Sequence, residues 1–330
     1  MSTSDKKTNE FSRIANLFAP LAASYPGAFG LSDDAAVMQL PAGYELVITT
    51  DTLIEGVHFL TDDDPGTIAA KLLRVNLSDL ASMGARPIGY TLNIALPSAV
   101  GDKWLEAFAA SLARDQLEFS VTLIGGDSVT TSGPIALTMT AFGDVISGEA
   151  LRRSGAVIGD VVYVSGTVGD GAIGLSVATG DLDNLSTRDK HYLRQRYRKP
   201  EPRVTLGQKL TEVAHSAVDL SDGFVADLSH IAECSDVLIE IEVEKIPLSD
   251  AVRAAISEGV VSMDCILTGG DDYELAVSVP ESAKSTMSSL SKSLNLQLTE
   301  IGRVCQGLGV CILDKSGTDI TPVKKGYVHV

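Results

Sequence analysis

Strand-like and helix-like segments alternate along the chain, and this alternation restricts the possible folds more than any other feature of the sequence. Short runs rich in apolar and β-branched residues predict strands at 45–50, 90–96, 120–124, 135–142, 161–166, 237–243, 274–279 and 308–313. Apolar residues at helical spacing predict helices at 11–24 (broken around Pro20), 67–83, 103–116 and 167–178. Because such alternation is typical of mixed α/β domains, we predict that fold class.

The length of 330 residues exceeds the usual size of one hydrophobic core, which predicts two domains. The glycine-containing segment DVISGEALRRSGAVIGD at 144–160 is a natural boundary. We therefore predict an N-terminal α/β domain at 1–146 and a C-terminal α/β domain at 147–330. The halves share short words, NLSDLASMG with DLSDGFVAD and LIGGDSV with LTGGDDY, which suggests that they are related.

The charge and the cysteines restrict partners and compartment. With 43 acidic and 26 basic residues the formal net charge is −17, and such a surface repels phosphate backbones, so we expect neither nucleic acid nor an anionic membrane as partner. No apolar run reaches the roughly 18 residues of a spanning helix, and the N-terminal MSTSDKKTNE lacks the apolar core of a signal peptide. Four cysteines without C-x-x-C spacing are typical of a reducing compartment, so we predict a cytoplasmic protein.

One segment carries much of the basic charge. It is TRDKHYLRQRYRKPEPR at 187–203, and its density of charged side chains predicts a solvated helix followed by a loop.

Acidic residues recur after apolar or small residues, and we expect several of them where strands end or helices begin, the places at which α/β sheets bind ligands. The set is Asp33, Asp34, Asp51, Glu55, Asp79, Asp127, Asp219, Asp222, Asp271 and Asp272. A single aspartate at such a place is commonly a helix cap or a turn residue, and Asp222 before Gly223 fits that interpretation well. Asp79 does not fit it, because it lies inside a helical pattern between Leu77 and Leu80.

Several buried carboxylates near one another require compensating cations. Since clusters of His and Cys are missing from the sequence, the cation that fits is a hard one held by oxygen, namely Mg²⁺, with Thr49, Thr50 and Ser221 as neutral oxygen donors. Mg²⁺ is usually shared between one or two carboxylates and phosphate oxygens, so a site rich in acids suggests a nucleotide with several metal ions. The G-x-x-x-x-G-K-[ST] phosphate loop and the protein-kinase motifs are absent. Two GGD turns, 125–127 and 269–271, would let the backbone approach a ligand closely.

Taken in order, the segments TTDTLIEGVHF, NLSDLASMGARP, IGGDSV, RRSGAVIGDVVYVSG, DLSDGFVADLSHI and GGDDYEL resemble the thiamine-monophosphate kinase family, within the superfamily of aminoimidazole ribonucleotide synthetase. The resemblance runs from about Phe11 to Tyr327. It implies a two-domain fold, a homodimer formed through the N-terminal domains, and ATP-dependent phosphorylation of thiamine monophosphate to thiamine diphosphate by direct in-line transfer with several Mg²⁺ ions.

The resemblance also implies roles for individual residues. The implied metal ligands are Asp34, Thr49, Thr50, Asp51, Asp79, Asp127, Asp219 and Asp222. The implied ATP contacts are Gly126, Asp127, Arg153 and Ser221, with Arg152 as an alternative to Arg153. The implied contacts to thiamine monophosphate are His58, Asp271 and Tyr327; the family more often has Glu at the position of Asp271.

Two other functions are compatible with parts of this pattern. One is a different ATP-dependent enzyme of the same superfamily, although a selenophosphate synthetase would ordinarily have a reactive Cys near its N-terminus, and no Cys precedes Cys234. The other is a non-catalytic protein that binds Ca²⁺ through its acids, but the D-x-D-x-D-G loop of the commonest such site is absent.

Overall fold

The computed structural model describes residues 10–182 and 184–327. Residues 1–9 lie outside that part of the chain. They include all but the last residue of MSTSDKKTNE, the stretch that lacks the apolar core of a signal peptide. Within it the chain divides into two compact units, one formed by Ala85–Gly148 together with the chain up to Leu80, the other by Ala81–Gly84 together with the chain from Glu149 onward. No helix of the described residues is both long and apolar enough to span a bilayer.

The first unit combines helices with a sheet of four strands. Its elements in chain order are α1 (Glu10–Arg13), β1 (Tyr44–Ile54), α2 (Pro65–Ser82), β2 (Arg86–Pro97), α3 (Asp102–Phe119), β3 (Thr122–Thr131) and β4 (Ala136–Ile146). The helix predicted at 11–24 is divided into α1, a π turn at Ile14–Phe18 and a 3₁₀ turn at Ala19–Ala22 that contains Pro20, because proline lacks the N–H that an α-helix needs. A further 3₁₀ turn covers Pro26–Leu31.

The first sheet has the order β1-β4-β2-β3, which leaves β1 and β3 at its edges in the described chain. β4 is antiparallel to both of its neighbours, whereas β2 and β3 are parallel and joined by the crossover helix α3. α2 is buried along most of its length, with Leu72, Leu73 and Leu77 inaccessible to solvent. The four strands and two long helices of this unit confirm the elements predicted from hydrophobic period.

The second unit is built on a mixed sheet of six strands with the order β10-β7-β9-β5-β8-β6. Its strands are β5 (Val161–Ser165), β6 (Ser216–Asp219), β7 (Leu238–Glu242), β8 (Leu275–Val279), β9 (Leu298–Cys305) and β10 (Gly309–Leu313). Its helices are α4 (Asp170–Thr179), α5 (Thr187–Arg198), α6 (Val204–Leu210), α7 (Phe224–Ser235), α8 (Asp250–Ser257), α9 (Met263–Thr268) and α10 (Lys284–Leu294), with 3₁₀ turns at Val243–Lys245 and Glu281–Ala283.

The core of the second unit explains why α7 forms where it does. Phe224, Val225, Leu228, Ile231 and Ala232 recur at helical spacing, and all five are buried in the core cluster against the sheet. This packing fixes α7 directly after β6 and so places the DLSDG segment at the junction of a buried strand and a buried helix. The predicted α/β class is confirmed in both units.

Candidate functional site

Three of the predicted metal ligands lie on α2 and on one face of the neighbouring strand β1. Asp79 lies inside α2, as the sequence predicts, and its Oδ2 accepts a hydrogen bond from Thr49 Oγ1 of β1. Asp51 is two residues further along β1, so its side chain leaves the same face of the strand as that of Thr49. The structure therefore gathers oxygen donors from β1 and α2.

Thr50 is not gathered with them. Its side chain leaves the opposite face of β1, where its hydroxyl lies 3.0 Å from the carbonyl oxygen of Met139 and 3.1 Å from Thr140 Oγ1 on β4. The structure assigns this hydroxyl to strand pairing, whereas the sequence grouped it with the metal ligands.

A cavity of about 280 Å³ in the first unit brings Asp34 together with Gly126 and Asp127. Its remaining lining residues are Ile14, Phe18, Ala28, Leu31, Asp33, Ala35, Ala36, Leu92, Ile94, Leu123, Ile124, Gly125 and Ser128. Carboxylates and apolar side chains thus share one concave surface, the composition expected of a small-molecule site.

The first GGD segment is not a turn, and that prediction is wrong. β3 runs from Thr122 to Thr131 straight through it, so Asp127 lies within an edge strand and not at its end. A Cβ added at Gly126 would lie 2.0 Å from the carbonyl oxygen of Leu92 on β2. The glycine is therefore required by the close approach of the neighbouring strand. Asp51 likewise lies inside a strand, although both aspartates were expected at strand ends.

His58 lies in the loop that follows β1, and its ring orientation is fixed by the backbone. The N–H of Ile54 donates to Nδ1 of His58 at 3.0 Å, and Lys71 Nζ donates to the carbonyl oxygen of His58 at 3.1 Å. Because Nδ1 accepts, the neutral ring carries its proton on Nε2. His58 is thus a donor through Nε2.

In the second unit the backbone brings together four of the predicted residues. Asp219 ends β6 and is buried, and Ser221 and Asp222 follow it. The N–H of Asp271 donates to the carbonyl oxygen of Ser221 at 2.9 Å, and the N–H of Tyr327 donates to that of Asp222, also at 2.9 Å. Ser221, Asp222, Asp271 and the half-exposed Tyr327 are therefore neighbours, which the sequence could suggest only through the family resemblance.

Asp227, in the first turn of α7, binds the backbone that precedes the helix. The N–H groups of Asp222 and Gly223 both donate to Oδ2 of Asp227 at 3.1 Å, while no side chain caps the helix from Gly223 itself. Burial raises the pKa of Asp227 to about 7, although the two N–H groups favour its ionised form. The interpretation of Asp222 as a helix cap is therefore wrong. Its carboxylate does not have the structural role that the sequence suggested for it.

Arg153 lies at the other end of α7 from Ser221. Its carbonyl oxygen accepts a hydrogen bond from Oγ of Ser235, the last residue of α7, at 3.2 Å, and both Arg152 and Arg153 have exposed side chains. An α-helix rises about 1.5 Å per residue, so roughly 16 Å of helix separates the two places. The structure does not bring these two predicted ATP contacts together.

The predicted metal ligands do not form a ready-made cage. Within residues 10–182 and 184–327, no three side chains of His, Cys, Asp or Glu are close enough together to hold a metal ion. Mg²⁺ usually completes its shell with water and phosphate oxygens, so the donor set present fits an ion that arrives with a nucleotide better than one held by protein alone.

A buried charged network was missed by sequence reasoning. Glu274 accepts hydrogen bonds from Ser165, Arg196 and Arg203, and Arg196 is itself buried, so the expectation that 187–203 is wholly solvated is wrong. Asp272 is also buried. The signal for Arg196 was available, because Leu193 and Tyr197 show that one face of α5 is buried.

Comparison with known proteins defines the class of this fold. Residues 32–145 match the family model "AIR synthase related protein, N-terminal domain", and residues 157–312 match "AIR synthase related protein, C-terminal domain". The chain is thus a two-domain protein of the AIR synthase related class.

Within that class the chain belongs to the thiamine-monophosphate kinase family. It is 42% identical to the thiamine-monophosphate kinase of Caulobacter vibrioides, over 97% of this chain and 90% of that one. The crystal structure of the thiamine-monophosphate kinase from Stenotrophomonas maltophilia matches with a TM-score of 0.80 and 43% identity, covering 86% of this chain and 89% of the other. The solved structure "AaThiL complexed with AMPPCP and TMP" matches with a TM-score of 0.77 and 29% identity, covering 92% and 98%.

Proposed function

We propose that this protein transfers the γ-phosphoryl group of ATP to the phosphate of thiamine monophosphate, giving thiamine diphosphate and ADP. The observation that carries the proposal is the family relationship along 97% of the chain. One structural relative was solved in complex with AMPPCP and TMP. AMPPCP is an ATP analogue, and we interpret TMP as thiamine monophosphate. The reaction would place the chain in thiamine diphosphate biosynthesis.

The donor set supports Mg²⁺ as the cofactor, with several ions. Every candidate ligand offers oxygen, the donor that Mg²⁺ prefers. When bound, Mg²⁺ neutralises negative charge on phosphate oxygens and so lets two anions approach each other. The set we propose omits Thr50, whose hydroxyl pairs β1 with β4. It consists of Asp34, Thr49, Asp51, Asp79, Asp127, Asp219 and Asp222.

The chain's own residues would bind and orient the two substrates. We assign Gly126, Asp127, Arg153 and Ser221 to ATP. We assign His58, Asp271 and Tyr327 to thiamine monophosphate. The Nε2–H of His58 is a donor suited to a phosphate oxygen, and the half-exposed ring of Tyr327 offers a flat face to a heteroaromatic ring. In the sequence Ser221 lies between Asp219 and Asp222 with no His or Lys next to it, which supports direct transfer between substrates without a phosphorylated enzyme.

The first sheet supports a homodimer. Tyr44, Leu46 and Ile48 alternate along the edge strand β1, so they share one face, and each is more than a third exposed. Ile146 of β4 lies directly opposite Tyr44 of β1 in the sheet and extends this apolar surface. Contiguous exposed apolar surface is typical of interfaces.

The four free cysteines support a cytoplasmic location.

The decisive experiment measures ADP release by the purified chain with ATP, Mg²⁺ and thiamine monophosphate. We expect turnover and a thiamine diphosphate product. Thiamine, which lacks the acceptor phosphate, is the matched control and should give no ADP. Equal turnover with thiamine, or turnover only with another substrate of the superfamily, would contradict the proposal.

A further inference from the structure

The segment 269–273, called here the GGDDY loop, joins α9 to β8 and has an unusual backbone. Asp271 and Tyr273 both have positive φ, +68° and +51°. Left-handed conformation is unfavourable for most residues other than glycine. Two such residues flank Asp272, so the surrounding structure has to hold the loop in place.

Asp272 supplies that hold from the side of α4. Its carboxylate is buried; Oδ2 accepts from the N–H of Gly169 at 2.6 Å and Oδ1 accepts from the N–H of Gly171 at 2.8 Å. Arg196 of α5 donates to the carbonyl oxygen of Asp272 at 3.2 Å. Each carboxylate oxygen therefore ties the loop to the N-terminus of α4.

The other side of the loop is tied to the segment that follows β6. The N–H of Asp271 donates to the carbonyl oxygen of Ser221 at 2.9 Å, and the N–H of Tyr273 donates to that of Leu220 at 2.8 Å. The fit against α4 leaves no spare room, because a Cβ added at Gly171 would lie 2.2 Å from the carbonyl oxygen of Asp271. Asp271 is thus located between two rigid elements.

We propose that Asp272 is a positioning residue for the acceptor substrate. It fixes the GGDDY loop on α4 and thereby holds Asp271, the proposed contact to thiamine monophosphate, beside Ser221, the proposed contact to ATP. The inference rests on the proposed function and deepens it: Asp272 touches neither substrate and acts through Asp271.

The test is Asp272→Asn, whose single amide oxygen can accept only one of the two N–H groups while its NH₂ faces the other. The amides of Asp271 and Tyr273 should lose protection from hydrogen exchange. The KM for thiamine monophosphate should rise on the order of tenfold or more, because small misplacements of orienting groups are costly. The KM for ATP should change by less than about twofold, since Ser221 is also held in place by β6 and α7, which flank it in the chain.

Asp115→Asn is the matched control, because Asp115 is equally buried and pairs with Arg74 in the first unit. It should lower the melting temperature without changing either KM. A second variant, Gly171→Ala, leaves the Asp272 carboxylate intact but pushes a Cβ against Asp271, and it should raise the KM for thiamine monophosphate in the same way. It decides the question if Asp272→Asn does not fold.

Unchanged exchange of the two loop amides in Asp272→Asn would overturn the positioning role whatever the substrate is. So would an unchanged KM for thiamine monophosphate in Gly171→Ala, or equal rises in both KM values. Failure of the unaltered protein to phosphorylate thiamine monophosphate would refute the proposed function alone, because the exchange measurement does not depend on turnover.

Discussion

Replacing Asp227 by Asn should stabilise the protein above neutral pH. The N–H groups of Asp222 and Gly223 both donate to the same oxygen, Oδ2, so the single amide oxygen of Asn can accept both. The substitution therefore keeps the two hydrogen bonds that tie α7 to the preceding backbone and removes only a buried charge. Replacement by Ala, in contrast, leaves both donors without this acceptor and should cost about 1 to 3 kcal/mol.

The magnitude follows from the pKa of Asp227, which burial raises from 3.8 to about 7. One pKa unit corresponds to about 1.4 kcal/mol, so the full effect is about 4 kcal/mol. Between these two pH values the folded chain keeps the proton and the unfolded chain has lost it, so stability falls as pH rises. Above pH 7 the carboxylate is ionised in both states, and the whole cost of its burial is present.

Calorimetry of the metal-free protein in EDTA from pH 5 to 8.5 measures this effect. With an unfolding entropy of about 2.1 cal/mol/K per residue, a chain of 330 residues gains roughly 1.4 °C per kcal/mol, so Asp227→Asn should melt about 6 °C above the unaltered protein at pH 8. The difference should shrink toward pH 5, and Asp227→Ala should melt lower than Asp227→Asn throughout. The reasoning would be refuted if the difference in melting temperature between Asp227→Asn and the unaltered protein did not depend on pH. It would also be refuted if the unaltered protein melted above Asp227→Asn at pH 8.

Other outcomes concern the phosphoryl-transfer site. Asp222→Asn should fold with an unchanged metal-free melting temperature, yet its kcat/KM should fall on the order of 10²-fold, equivalent to about 2.7 kcal/mol; near-normal turnover at saturating Mg²⁺ would sink its metal role. Asp236→Asn, an exposed change at the other end of α7, is the control and should be silent, whereas Asp79→Asn should behave like Asp222→Asn. Excess EDTA should abolish turnover and added Mg²⁺ should restore it; activity that survives EDTA would contradict the cofactor assignment. Incubation with γ-³²P-labelled ATP in the absence of thiamine monophosphate should leave the protein unlabelled, and a stable label would argue for a covalent intermediate.

Local pattern was enough to predict most strands and helices, because hydrophobic period reports which face of a segment is buried. It was not enough to assign Asp222 and Asp227. Both lie in DLSDGFVAD, and the preference of aspartate for helix starts favoured the first as the cap. The path of the chain between β6 and α7 decides which carboxylate accepts hydrogen bonds from the N–H groups of Asp222 and Gly223. The residues of this short segment alone do not predict that path. For Arg196 the positions of Leu193 and Tyr197 could indicate burial, but local pattern could not identify the partner Glu274, which is 78 residues away.

The shared words of the two halves show why similar sequence did not mean equivalent local structure. In NLSDLASMG the aspartate lies within α2 and reaches a threonine on a neighbouring strand, whereas in DLSDGFVAD it lies in the open segment before α7. The GGD of the first half is extended within β3, whereas that of the second half opens the loop held by Asp272. In both GGD segments the second glycine lets two backbones approach closely, since a Cβ added at Gly126 or Gly270 would lie 2.0 or 2.2 Å from the carbonyl oxygen of Leu92 or Ser221. An aspartate follows each of these glycines directly. The requirement that the two segments share is thus an aspartate next to a close backbone approach, and a strand satisfies it in the first half whereas a loop satisfies it in the second.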